Sequence, residues 1–271
     1  MLTREETWER LRNSNSALAD MPSGSWNLSG ADLSGIDLSG ANLNEADLRW
    51  ANLNGVNFNS ASLVGVCLNQ TDLSGVDLSN SNLVGAVFVA VSMVGANLHG
   101  ANISNGELGR ANLSQANLDG ANLSGAYLIE ANLSGASLKR AVLYRAVLSG
   151  GNFAKADFAE ADLRETDFNV ANLAAVNLKG ANLFRADLNA VSLMLADLTG
   201  ANLCEANLSD ANLQGVKLNG ANMLGARLRG VKKLAIDQLK EVKTLYAAQM
   251  GPRMMKQVEK ECPNLLKRPV D

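Results

Sequence analysis

The sequence contains few of the residues from which catalytic and metal sites are usually built. It has one histidine, His99, and three widely separated cysteines, Cys67, Cys204 and Cys262, with no C-x-x-C pair. An odd number of isolated cysteines argues against a disulfide framework and against a zinc site. The single histidine disfavours the many catalytic arrangements that depend on a histidine base.

Aromatic residues are also scarce, and no long apolar run is present. Aromatics make up 4% of the 271 residues, so the core must consist mainly of leucine and alanine. No stretch approaches the roughly 18 apolar residues of a membrane-spanning helix, and the charged N-terminus MLTREETWERLRN lacks the apolar centre of a signal peptide. We therefore expect a cytoplasmic protein with no membrane partner.

What the sequence has instead is an internal repeat. From Trp26 to Gly230 it divides into 41 consecutive five-residue units without insertion or deletion. The central residue of each unit, position i, is Leu in 33 units and Phe, Met or Ile in the others. Position i−2 is Ala in 27 units, position i−1 is Asn in 19 and Asp in 10, and position i+2 is Gly in 19. The consensus is A-[N/D]-L-x-G.

Neither an α-helix nor a flat strand can bury residues at this spacing. In a helix, five residues advance about 140° beyond one turn, so the leucines would spiral around the cylinder. In a strand, an odd spacing sends successive leucines to opposite faces. A short extended segment followed by a corner at each glycine would point every Leu and Ala inward and every Asn or Asp outward.

The unbroken A-[N/D]-L-x-x run resembles pentapeptide-repeat proteins. The resemblance implies an all-β solenoid, a right-handed quadrilateral β-helix with four units in each 20-residue coil. On this basis we expect about ten coils over residues 26–230, forming a rod about 50 Å long at the roughly 4.8 Å spacing of paired strands. Arg145, Glu165, Arg185 and Glu205 alternate in charge at this 20-residue spacing, which favours the same coil length.

Helical caps are expected at both ends, because an open solenoid end exposes its core. Residues 1–25 contain a capping box that begins at Thr3, with Trp8 and Leu11 as apolar contacts, and Trp26 is placed to plug that end. In residues 231–271, apolar residues at helical spacing predict a helix over 234–250 and a second one after Gly251-Pro252. This segment is either a plain lid or a lid that also forms a homodimer. Its candidate cap or dimer residues are Leu239, Val242, Leu245, Tyr246, Met254, Met255 and Val258.

No motif for catalysis or cofactor binding is present. The sequence has no phosphate-binding G-x-x-x-x-G-K-[ST] loop and no dinucleotide-binding G-x-G-x-x-G between a strand and a helix. His99 falls at a solvent-facing position, and the calcium-binding nonapeptide of β-rolls is missing. The Asn and Asp residues are better explained as side chains that hydrogen-bond the backbone at corners. We expect no enzyme, no cofactor and no metal.

Function is therefore expected on the outer surface, where apolar residues replace the polar consensus. Such patches usually mark interfaces, although valine is also simply favourable on a β surface. The candidate protein-interaction residues are Val64, Cys67, Val84, Val87, Val89, Val94, Tyr127, Ile129, Tyr144, Phe184 and Leu224, and Val147 continues one of the faces.

The charge distribution leaves a second function open. Residues 26–130 carry 9 acidic and 2 basic side chains, a net charge of −7, whereas residues 131–230 carry 9 and 10. An acidic rod is similar to the pentapeptide-repeat proteins that mimic duplex DNA and bind type II topoisomerases, some of which confer fluoroquinolone resistance. Solubility explains the charge equally well, and no basic stripe indicates direct nucleic-acid binding. The leading hypothesis is a non-enzymatic scaffold or protein-interaction protein, and the alternative is a modulator of DNA gyrase or topoisomerase IV.

Overall fold

A computed structural model describes residues 26–269, and the repeat forms a stack of parallel coils. From Asn27 to Asn212, position i−1 of each unit is bridged in parallel to the residue 20 places later, as in Asn27 with Asp47 and Asp47 with Cys67. Twenty residues hold four pentapeptide units, so each unit stacks on the unit four places away. Each extended segment is so short that most of the pairing consists of single bridges rather than long strands.

All 41 central residues lie inside this stack, and none exposes more than 2% of its surface. The alanines at position i−2 point inward beside them, and both columns belong to one continuous core. The expectation that the central side chains meet along a common dry axis is confirmed. Deleting one of these side chains should cost about 2–5 kcal/mol, as in other Leu→Ala core substitutions.

The glycine column is explained by the backbone at the corners. Every i+2 residue of the 41 units has a positive φ, between 54° and 71°. In the first unit, the Ala31 N–H donates to the Leu28 carbonyl at 3.0 Å, and Gly30 between them has a φ of 64°. This is the arrangement of a type II turn, in which glycine is the favoured third residue.

The asparagines form a second set of contacts on the outside of the coils. The Asn132 side-chain oxygen accepts from the Ser134 N–H at 3.1 Å, which caps the turn of its own unit. The same oxygen accepts from Asn152 Nδ2 at 3.1 Å, and Asn132 Nδ2 donates to Asn112 Oδ1 at 3.0 Å. Position i−1 thus caps its own turn and links one coil to the next, which confirms the structural explanation of the Asn and Asp column.

The expected helix over residues 234–250 is wrong. Only Ile236–Leu239 (α1) is helical, and the chain then returns to the coil. The strand Gln249–Met250 (β2) pairs in parallel with Arg227–Leu228 (β1), and Thr244 is bridged to Asn222. Both pairings join residues 22 places apart instead of 20, so α1 lies within a lengthened coil. Open backbone groups on the preceding coil favour pairing over a longer helix.

The C-terminal end is covered by the helix Pro252–Glu261 (α2), which starts after Gly251 as expected, and by a 3₁₀ helix at Pro263–Leu266. Val258 of α2 is fully buried, and the Leu245 N–H donates to the Leu265 carbonyl at 2.8 Å. At the other end, Trp26 packs partly buried against the core. The expected N-terminal helix, with its capping box, Trp8 and Leu11, lies outside the described residues.

Candidate protein-interaction surfaces

The coil has four outer faces, and one of them departs from the asparagine pattern. Face 1 holds the units centred on Leu28, Leu48 and every fourth unit after them, and faces 2, 3 and 4 begin at Leu33, Leu38 and Leu43. On faces 2, 3 and 4, position i−1 of the repeat is Asn, Asp or Ser except at Val142 and Lys217. On face 1, five consecutive coils carry another residue there, namely Cys67, Val87, Glu107, Tyr127 and Val147. The capping and stacking contacts of the asparagines are therefore interrupted on this face.

The same stretch of face 1 exposes apolar side chains. Tyr127 exposes 53% of its surface, Ile129 45% and Val89 39%. Gly109 lies at position i+1 between Val89 and Ile129, one coil from each. A Cβ placed on Gly109 would meet only the Ile129 carbonyl oxygen, at 3.8 Å, so this glycine leaves an open hollow between two apolar side chains. This stretch of face 1 is therefore stepped, and it carries exposed apolar side chains beside the exposed charges of Glu107, Arg110 and Glu130.

Two further exposed residues on face 1 were missed from the sequence. Trp50 and Val170 expose 55% and 63%, and both occupy position i+2, where φ is 58° and 55°. A β-branched residue with positive φ is a backbone outlier, so Val170 is held in a strained conformation. The signal that could have revealed them is a bulky residue in the glycine column. On face 2, Leu195 at position i+2 and Met194 at position i+1 are also exposed.

The remaining valines expected on this surface lie at its margin. Val64 and Val84 are half-buried on face 4, across the corner from Cys67 and Val87. The Val64 N–H donates to the Asn44 side-chain oxygen at 2.9 Å, so the backbone there keeps a polar partner from the neighbouring coil. Val94 is half-buried on face 2 and does not join the patch.

Face 4 carries the second expected series, and arginines cover its rings. Arg145 lies 4.9 Å from the centre of the Tyr144 ring, and Arg164 lies 5.4 Å from it on the next coil. Arg185 lies 4.7 Å from the Phe184 ring. Leu224 is half-buried further along the same column. Cation–π contacts therefore cover these rings, and face 4 offers less free apolar surface than face 1.

The expected charge ladder beside these rings consists of two separate ion pairs. Arg145 contacts Glu165 at 2.7 Å and Arg185 contacts Glu205 at 2.7 Å. The hydrogen bond to Glu165 raises the pKa of Arg145, and the hydrogen bond to Glu205 does the same for Arg185. Both arginines are exposed, so water screens the two pairs and each adds little to the stability of the fold.

Most residues proposed as a C-terminal dimer surface are buried within the chain. Leu239, Val242, Leu245 and Val258 expose 5% or less. They fill the inside of the lengthened coil and the space beneath α2, because the segment continues the solenoid instead of forming a free helix. Tyr246, Met254 and Met255 are half-buried, so only they offer side chains to another molecule.

No arrangement of a catalytic kind is found within residues 26–269. His99 is exposed, and no three His, Cys, Asp or Glu side chains of this part converge on a metal position. Burial raises the pKa of the Cys204 and Cys262 thiols, which lowers the fraction of reactive thiolate. Over the same range, no helix is both long and apolar enough to span a bilayer.

A shallow polar cleft of about 480 Å³ crosses the corner between faces 4 and 1 near the C-terminal end. Its lining includes the paired Arg185 and Glu205 together with Asp187, Asn207 and Arg227. Asp187 accepts from Asn207 Nδ2 at 2.9 Å, so its carboxylate is already part of the stacking contacts. The cleft presents charges of both signs and no activated nucleophile.

A comparison with protein families agrees with the repeat described above. The family model described as pentapeptide repeats matches eight copies, covering residues 27–189 and 196–232. No curated protein matches the chain. Among solved structures, the chain is similar to HetL, a pentapeptide repeat protein involved in heterocyst differentiation regulation in the cyanobacterium Nostoc. That match has 31% identity, covers 85% of this chain and 97% of HetL, and has a TM-score of 0.34.

Two other structures extend the comparison. QnrB1, a plasmid-mediated fluoroquinolone resistance protein, has 16% identity, with 76% of this chain and 93% of that chain covered and a TM-score of 0.35. A pentapeptide repeat protein from the thylakoid lumen of Arabidopsis thaliana has 27% identity, with 50% and 70% covered and a TM-score of 0.26. The repeat match spans most of the chain, and the chain belongs to the pentapeptide repeat family.

Proposed function

We propose that this protein is a non-enzymatic scaffold or interaction protein, a right-handed quadrilateral rod of about ten coils that binds a protein partner through face 1. The observation that carries the proposal is the local loss of the asparagine pattern over five coils of one face. The same positions on the other three faces keep that pattern with two exceptions. The fold alone does not explain a loss confined to one face.

The replaced residues give up contacts that the fold could have used. A missing Asn gives up a side-chain bond to the next coil and the capping bond of its own turn, although the Val89 N–H next to Val87 finds another acceptor in Asn69 at 2.8 Å. A typical protein hydrogen bond contributes about 0.5–1.5 kcal/mol. In exchange, Tyr127 and Ile129 expose about half of their surfaces to water. Exposed apolar side chains grouped on one face are typical of binding sites, so the loss of stability would be compensated in a complex.

The test restores the consensus on face 1. Val87→Asn, Tyr127→Asn and Val147→Asn, combined, should abolish capture of a partner from the native host while leaving the unfolding midpoint unchanged or higher. Val142→Asn is the matched control, because it makes the same change at position i−1 on face 4. Unchanged capture by the triple variant would contradict a binding role for face 1.

A second candidate, modulation of a type II topoisomerase by DNA mimicry, is supported by the net charge of −7 over residues 26–130. Much of that acidity has a local structural role, however. Asp37, Asp72 and Asp77 accept the N–H two residues later at 2.9–3.0 Å, as asparagines do elsewhere. Face 1 therefore remains the favoured site. A supercoiling assay tests the alternative, since unchanged gyrase activity at micromolar protein would remove it.

The C-terminal segment is proposed to act as a lid on the solenoid end. The burial of Val258 and the pairing of β2 with β1 support this role. Dimer formation through the remaining half-buried residues, Tyr246, Met254 and Met255, is the weaker proposal, because they form only a small group. Direct nucleic-acid binding is not proposed, and a cytoplasmic location stays a prediction.

A further inference from the structure

Face 1 is complementary to itself when a second copy is laid against it in the opposite direction. We propose that the partner of face 1 is a second copy of this chain, bound antiparallel about a twofold axis between the coils of Arg110 and Glu130. The inference rests on the proposed role of face 1 in protein binding. In a twofold interface the same surface is used by both copies, so residues at equal distances on opposite sides of the axis face each other.

Charge favours this register over the two neighbouring antiparallel registers. Arg110 and Glu130 are neighbours in the i+2 column of face 1, 2.8 Å apart and largely exposed. About the proposed axis, Arg110 of each copy faces Glu130 of the other. An antiparallel axis through the coil of Arg110 would place Arg110 against Arg110, and one through the coil of Glu130 would place Glu130 against Glu130. Juxtaposed like charges exclude wrong partners and wrong registers.

Shape agrees with the same axis. Ile129 of one copy faces the hollow at Gly109 of the other, where no side chain of its own fills the space. Val89 faces Ser149, and the exposed Trp50 faces Ala190, so large side chains oppose small ones. Val87 faces Val147, which joins two members of the interrupted i−1 column. All of these pairs obey one rule. The two residues occupy the same position of the repeat and lie the same number of coils from the axis, on opposite sides of it.

Some acidic side chains also face each other or an uncharged residue across the proposed interface. Asp47 faces Asp187, but Asp47 contacts Arg49 at 2.6 Å and Asp187 accepts from Asn207 at 2.9 Å. The hydrogen bond from Arg49 holds the pKa of Asp47 below its usual value, so Asp47 stays ionised and paired with Arg49. Glu107, which has no ion pair among the described residues, faces the ring and hydroxyl of Tyr127.

The available area fits a reversible dimer. Ten coils overlap at about 4.8 Å each, and three outward residues span about 10 Å, which gives roughly 500 Å² per copy. A total near 1,000 Å² is at the lower limit for a specific interface. We therefore expect a dissociation constant in the micromolar range.

Sedimentation equilibrium of the full chain tests the dimer. Arg110→Glu should raise the dissociation constant at least about tenfold, because glutamates then face Glu130 in both halves. Arg110→Glu with Glu130→Arg should restore it. Arg145→Glu breaks a comparable 2.7 Å ion pair on face 4 and serves as the matched control. Gly109→Leu fills the hollow, where a Cβ meets only the Ile129 carbonyl oxygen at 3.8 Å, and should also prevent association.

Disulfide trapping tests the orientation. In a background with the three cysteines replaced by serine, Val89→Cys with Ser149→Cys should form a covalent dimer, whereas Val89→Cys alone should not. A crosslink from Val89→Cys alone, or a dimer insensitive to Gly109→Leu, would overturn the antiparallel arrangement. A wild-type monomer at several hundred micromolar would overturn the second copy as partner. If that monomer still captured another protein through face 1, the proposed function would stand without this inference.

Discussion

The strain at Val170 provides a prediction in which one type of substitution has opposite effects at two positions. Val170 is a β-branched residue with φ at 55°, and its side chain is 63% exposed. A left-handed conformation costs an L-residue about 1–2 kcal/mol, and little apolar burial is lost on truncation. Val170→Gly should therefore raise the free energy of unfolding by about 1 kcal/mol, after allowance for the greater freedom of glycine in the unfolded chain.

Val89→Gly is the matched control for this prediction. Val89 is also an outward valine on face 1, but it occupies position i+1 and is not among the residues with positive φ. Glycine there should lower the free energy of unfolding by at least about 0.5–1 kcal/mol, because it adds flexibility to the unfolded chain and removes a valine that is only 39% exposed. Urea denaturation followed by circular dichroism measures both variants. A loss of stability in Val170→Gly as large as in Val89→Gly would refute the account of the corner.

Three further predictions concern the core, the surface and acid stability. Gly151→Ala should destabilise the protein by about 1–3 kcal/mol through overpacking, since a Cβ would lie 2.6 Å from the Phe153 ring; an unchanged melting temperature would show that the ring moves freely. Val87→Asp with Val89→Asp should keep the circular dichroism spectrum and abolish partner capture, whereas unfolding would place these side chains in the core. The free energy of unfolding should fall as pH drops below about 4, because hydrogen bonds in the folded state lower aspartate pKa values from the ordinary 3.8. A carboxylate whose pKa is lower in the folded state stabilises the fold at pH values above its unfolded pKa. That stabilisation is lost as pH falls through its folded pKa. Acid titration of the unfolding midpoint measures this, and a flat profile from pH 5 to about 2 would contradict it. The carboxylates concerned are Asp37, Asp47, Asp72 and Asp162.

Much of the fold could be predicted from the sequence because one physical condition is repeated 41 times. A large apolar residue at every fifth position can be buried only if the backbone turns once in each unit. Leu128 and Ala126 are therefore inside, and Tyr127 between them is outside. Local alternation and the position of the turn determine this, so no long-range information is needed.

The C-terminal segment could not be predicted in the same way. Ile236, Leu239, Val242 and Tyr246 have helical spacing, but Leu239, Val242 and Leu245 are buried against the last regular coil. The choice between a helix and a further coil depends on the unpaired backbone of β1, which is a tertiary partner and not a local signal. A coil of 22 residues also conceals the repeat from a search at a period of five.

The sequence predicted which side chains point outward, but not the shape of the surface that they form. Outward positions follow from the repeat, which is why Val87, Tyr127 and Ile129 were identified. The hollow at Gly109 depends on residues 20 positions away on each side, and Trp50 lies in a column where glycine was expected. Their significance becomes apparent only when the coils are stacked.

Thiol accessibility across one unit tests the central geometry most directly. In the background with Cys67, Cys204 and Cys262 replaced by serine, cysteine is introduced singly at each of residues 126–130, and its modification rate is measured in dilute folded protein. Tyr127→Cys, Ile129→Cys and Glu130→Cys should react like free thiols, whereas Ala126→Cys and Leu128→Cys should react only after unfolding. Rapid modification of Leu128→Cys in a variant that retains the native spectrum would contradict the inward position of the repeat centres.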